Sequence, residues 1–127
     1  MSTVPLVCVA VLGLLVFGLG LAISAARFRG PMNYGMTNPS DFLYRLVRAH
    51  GNTVEFVPFL ALLFLYFAGH QPSTTTLALI IAATICRCLL VIGLLAWPTM
   101  ARPNPARFVG ALGTYLCGGA LCVALLL

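Results

Sequence analysis

The sequence predicts an all-α integral membrane protein, a single bundle of four transmembrane helices occupying residues 1–127. Composition comes first. Hydrophobic residues make up 61% of the chain and charged residues 7%, against roughly 45–50% and about 25% in an ordinary globular chain. A soluble domain this small must cover itself with polar groups, and seven basic and two acidic residues cannot do that. Disorder is excluded because it needs low hydrophobicity. The second observation is four apolar stretches, each near the ~20 residues that cross hydrocarbon. The third is the placement of the charges, which gather at alternate ends of those stretches.

The first span runs over 4–26, with no charge before Arg27. The small residues Ala22 to Ala26 resemble a cleavage site. However, no basic stretch precedes the long apolar run, so a retained helix is expected. Gly30, Pro31, Asn33, Gly35, Asn38 and Pro39 are turn formers, and Ser40 or Asp41 is placed to cap the second span, 42–68. Gly69 to Ser73 close that span. The third covers 77–97 around Arg87. Pro98 to Pro105 form the next loop, and 106–127 is the fourth span.

All seven basic residues are arginine. Arg27, Arg29, Arg45 and Arg48 flank the first loop, and Arg102 and Arg107 the third; the second loop has none. The positive-inside rule makes loops one and three cytoplasmic and puts both termini outside. The excess of +5 is not clustered on a polar surface, which argues against nucleic acid. Arginine without lysine suggests a GC-rich genome, and loop brevity suggests a bacterial inner membrane.

Charges within the spans mark a site. Arg48, Asn52 and Glu55 are spaced i, i+4, i+7 and share one face of a helix, with Arg45 near the same stripe. Charges in a span cost several kcal/mol and usually face a bundle interior. The plainer alternative is an ion pair with one arginine snorkelling to the interface. At 1.5 Å per residue, Glu55 and Arg87 lie roughly 20 Å and 18 Å from the outer loop. An antiparallel pair of helices therefore brings them together, so Glu55 is expected to balance Arg87. Pro58 removes one helical hydrogen bond and is expected to kink the second span.

Ala106, Gly110, Thr114, Gly118 and Cys122 repeat every four residues, as do Gly18, Ala22 and Ala26. Such stripes predict close helix contact, within or between chains. Cys8, Cys86, Cys88, Cys117 and Cys122 have neither metal-ligand nor redox spacing. They read as small apolar residues, and no metal site is expected.

The run Arg48-Ala49-His50-Gly51-Asn52-Thr53-Val54-Glu55, followed by Pro58, resembles the signature of the membrane-associated proteins in eicosanoid and glutathione metabolism (MAPEG). Asp41 and Arg45 resemble the approach to it. Phe64-Leu65-Tyr66 to Pro72-Ser73-Thr74 is similar to the microsomal glutathione transferase branch. Arg102-Pro103-Asn104-Pro105-Ala106-Arg107-Phe108 is similar to that branch and to microsomal prostaglandin E synthase.

The resemblance implies a homotrimer in membrane lipid, binding glutathione as co-substrate between subunits on the cytoplasmic side, together with a lipophilic small molecule. It implies that Arg48, His50, Asn52, Glu55, Arg87 and Arg27 hold glutathione. Arg107 is then the catalytic residue that stabilises the thiolate, with Arg102 the next candidate. Chemistry agrees, because glutathione carries two carboxylates and one ammonium, and a cation beside a thiol favours the nucleophilic thiolate. The sequence departs from the family at Leu90 and Leu94, where a Tyr, or a His and a Tyr, are common, and at Phe56, where some members have Tyr.

Three functions follow. The first is a glutathione transferase or glutathione-dependent peroxidase acting on lipophilic electrophiles. The second is a non-catalytic lipid-binding member of the same family, which the missing tyrosines favour. The third is a four-span multidrug transporter, which needs a membrane-embedded acid, typically in the first helix; the first span here has none.

Overall fold

The computed structural model describes residues 1–29, 38 and 40–127. The turn formers Gly30, Pro31, Asn33, Gly35 and Pro39 lie outside the described residues. Four helices are present among the described ones: α1 (Thr3–Arg29), α2 (Phe42–Gly69), α3 (Thr74–Ala96) and α4 (Pro105–Ala124). All four are long and apolar enough to cross a membrane. Even the shortest, with 20 residues, extends about 30 Å at 1.5 Å per residue, the thickness of the hydrocarbon core.

The helix ends explain where the expected bounds were off. Helix α3 begins at Thr74 rather than 77, because the Ser73 hydroxyl accepts a hydrogen bond from the Thr76 N–H at 3.1 Å. A Ser-Thr-Thr-Thr run reads as loop by polarity but caps a helix by chemistry. Helix α1 continues past the expected 26 to Arg29, and α4 ends at Ala124 rather than 127. Asp41 is the N-cap of α2, though its side chain makes no capping bond. Just before it, the Asn38 side-chain oxygen accepts from the Ser40 N–H at 3.0 Å, a local turn typical of asparagine. Helix α2 passes through Pro58 without a break.

Neighbouring helices run antiparallel. The Ser2 N–H donates to the Ala68 carbonyl at 2.9 Å, tying the start of α1 to the end of α2. The pairs α1–α2 and α3–α4 pack most extensively, while α1 and α4 do not pack on each other. Two buried apolar clusters fill the bundle. One centres on Leu12, Phe64, Ile80 and Leu121, the other on Leu19, Leu46, Leu90 and Leu94. Leu14, Phe17, Leu21, Phe108 and Leu116 face outward. In water they would be a liability; in lipid they are the solvent-matched surface. The buried hydroxyls of Thr53, Thr84 and Thr114 donate to carbonyls four residues back, at 2.7, 2.9 and 2.7 Å. Each of these three hydroxyls is thereby satisfied inside its own helix.

The small residues of α4 pack within the chain. A side-chain carbon placed on Gly110 would lie 2.6 Å from the Leu90 backbone nitrogen and 2.8 Å from the Cys86 carbonyl oxygen. Gly113, outside the four-residue stripe, sits against the Cys86 sulfur. The stripe therefore brings α4 onto the backbone of α3. On α1, by contrast, Gly18 has nothing within 4 Å.

Candidate functional site

Close approach of α3 and α4 opens a cavity where both face α2. Its volume is about 310 Å³, at the small end of ligand pockets. Helix α2 contributes Arg48, Asn52 and Phe56, α3 contributes Arg87, Leu90 and Leu94, and α4 contributes Arg107, Phe108, Ala111 and Tyr115. Met100, Pro103 and Asn104 close it from the loop. Each of these three helices presents one stripe, spaced i, i+4, i+8 on α2 and α4 and i, i+3, i+7 on α3.

Arg87 is the buried centre, with 1% of its surface exposed. Its Nη2 donates to Asn52 Oδ1 at 2.7 Å, and its guanidinium carbon lies 4.9 Å from the centre of the Phe56 ring. Its Nε is buried and has no hydrogen-bond partner among the described residues. Asn52, not Glu55, is thus the partner that α2 offers to Arg87, and the expected Glu55–Arg87 pairing is corrected. The reason is angular. At 3.6 residues per turn, Glu55 lies about 60° round the helix from Asn52, on the side away from Phe56. Its carboxylate is exposed and lines a neighbouring apolar groove of about 330 Å³ with Phe59, Leu60, Gly118 and Gly119. Phe56 and Tyr115 line both spaces, and their rings sit 5.7 Å apart.

Arg107 stands in the first turn of α4. Its N–H donates to Asn104 Oδ1 at 2.8 Å, and Asn104 Nδ2 donates to the Gly93 carbonyl at 3.0 Å. Asn104, 5% exposed, therefore caps α4 and pins it to α3 with one side chain. Arg107 Nη1 donates to the carbonyls of Met100 at 3.1 Å and Arg102 at 3.4 Å. The Arg102 side chain is exposed and does not line the cavity.

Four of the expected residues, Arg48, Asn52, Arg87 and Arg107, therefore meet in one cavity. Three do not. Glu55 is next door. His50 faces α1, its Nε2 being 3.5 Å from where a side chain on Gly20 would begin. Arg27 is exposed at the end of α1. Tyr115 was missed by the sequence reading, although Arg107, Ala111 and Tyr115 repeat every four residues and that spacing signals a shared face. Arg45 lies outside the cavity: its Nη1 donates to the carbonyls of Leu95, at 2.7 Å, and Trp97.

The family model for MAPEG matches residues 5–127. The chain belongs to the MAPEG family. No curated protein and no solved structure gives a significant match. MAPEG proteins are mostly glutathione-dependent enzymes, and the family also includes non-catalytic lipid-binding members. The lining of the cavity in this MAPEG chain selects by charge. Its walls carry three guanidiniums and no carboxylate, and one buried guanidinium N–H is left over. Unpaired buried charge is costly, so such walls favour an anionic ligand. Leu90 and Leu94 leave the α3 wall without a hydroxyl, while Tyr115 brings one from α4.

Proposed function

We propose that this MAPEG protein is a membrane-bound glutathione transferase or glutathione-dependent peroxidase acting on lipophilic electrophiles. The convergence of Arg48, Arg87 and Arg107 on one acid-free cavity carries this reading. Arg48 and Arg87 hold the carboxylates of glutathione, and Asn52 holds the peptide. Arg107 faces the sulfur and favours its thiolate by direct charge attraction. Glu55, one groove away past Phe56, takes the ammonium. In the transferase reaction the thiolate forms a carbon–sulfur bond while the leaving group departs with the electron pair of the bond it breaks. Holding both reactants together supplies much of the rate.

The same reading makes the protein a homotrimer, with the site on the cytoplasmic side and the protein in a bacterial inner membrane. Arg27 and His50 lie outside the cavity of their own chain, and a neighbouring subunit supplies them to it. The exposed carboxylate of Glu55 supports this, since a charge facing lipid within a span costs several kcal/mol and a second subunit covers it.

The second reading, a non-catalytic lipid binder, rests on the leucine wall of α3. Purified protein incubated with glutathione and a chlorinated nitrobenzene separates the two. Turnover that depends on Arg107 supports the enzyme. Absence of both turnover and calorimetric glutathione binding overturns it and leaves the lipid binder.

A further inference from the structure

We propose that Arg45 is a positioning residue that sets Arg107 through the segment 97–104. That segment leaves α3 at Trp97 and enters α4 at Asn104. Side chains hold it at three points. Arg45 grips the end of α3 through the carbonyls of Leu95 and Trp97. Asn104 grips the Gly93 carbonyl at 3.0 Å. Arg107 grips the Met100 and Arg102 carbonyls at 3.1 and 3.4 Å.

The Arg45 contact is a natural one. The last carbonyls of a helix lack intrahelical donors and carry partial negative charge, which a guanidinium satisfies on both counts. The Arg45 guanidinium also rests 5.5 Å from the Phe42 ring centre, which restricts its rotation. The closer of the two carbonyls that orient Arg107, that of Met100, is only three residues beyond Trp97. If Trp97 swings free, the Met100 carbonyl moves with it, and the Arg107 guanidinium loses its aim into the cavity. Arg45 does not line the cavity, so its effect on Arg107 passes through this segment.

The catalytic half of this proposal rests on the transferase reading; the structural half does not. Trp97 is the only tryptophan in the chain, so its fluorescence reports the contact directly. In Arg45→Ala, Trp97 anisotropy is expected to fall. Hydrogen exchange across 98–107 should rise about tenfold, with α1 unchanged, as expected for losing one charged hydrogen bond. Arg45→Lys should restore both, because an ammonium also donates to carbonyls.

In the turnover assay kcat should drop about tenfold with KM for glutathione unchanged, and Arg45→Ala added to Arg107→Ala should slow the enzyme no further. Unchanged anisotropy and exchange in Arg45→Ala overturn the proposal whether or not the protein turns over. A loosened segment with full kcat, or an additive double variant, overturns the link to Arg107. A wild type that neither binds nor turns over glutathione sinks the transferase reading, while exchange at 98–107 still decides whether Arg45 seats Arg107.

Discussion

Arg87 on α3 and Asn52 on α2 are joined by a 2.7 Å hydrogen bond that provides a buried guanidinium with its neutral partner. Removing that oxygen strands a charge. Asn52→Leu is expected to lower stability by about 2 kcal/mol, the worth of a hydrogen bond to a charged group. Glu55→Gln, which touches neither partner, should stay within about 0.5 kcal/mol of the parent chain. Thermal unfolding of both variants in detergent makes the comparison. A destabilised Glu55→Gln would restore the carboxylate as the partner.

Gly110 and Gly18 form a matched pair of tests. Gly110→Ala forces a carbon to within 2.6 Å of the α3 backbone, which overpacks the interface at a cost of about 1–3 kcal/mol. Gly18→Ala meets open space and should be neutral or gain about 0.5 kcal/mol from helix propensity. Unfolding temperatures of the two variants should therefore move in opposite directions, or one only.

Asn104 serves two helices. Asn104→Ala removes the cap of α4 and the donor to the Gly93 carbonyl together, for an expected loss of about 2 kcal/mol. Asn104→Asp keeps the cap but not the donor, and should lose about half of that. Unfolding midpoints in detergent check both values.

The pH dependence of Arg107→Ala tests its role on the thiolate. A neighbouring cation lowers a thiol pKa from its ordinary ~8.5. Removing it lets the pKa of bound glutathione return upward. The rate loss should be largest near pH 6.5, about 10²-fold, and shrink toward pH 9, where the thiol ionises unaided. A loss of equal size at both ends of the range would assign Arg107 to binding instead.

Composition made the four spans and most of their bounds legible, because lipid demands long apolar helices whatever else they do. Thr74, Thr75 and Thr76 were left out of the third span because hydroxyls beside a cap look polar. Arg48 and Arg87 stood out because charge within a span is rare enough to be informative, Asn52 because it shares a helix face with Arg48 and Glu55, and Arg107 only through the family resemblance. Glu55 was misplaced because depth along a helix can be counted from sequence, but rotation depends on how that helix leans on its neighbours. The role of Arg45 was hidden for a related reason. Its partners are carbonyls, which every residue has and no sequence pattern marks.

With three guanidiniums and no acid on its walls, the cavity behaves as a small ion exchanger. On the transferase reading, glutathione enters by displacing whatever mobile anion neutralises those walls. Chloride or phosphate is then a competitor as well as a screening agent, and affinity falls as ionic strength rises. Neutral thiols gain nothing from such walls. On that reading, the field that favours a peptide anion gives small uncharged thiols no advantage.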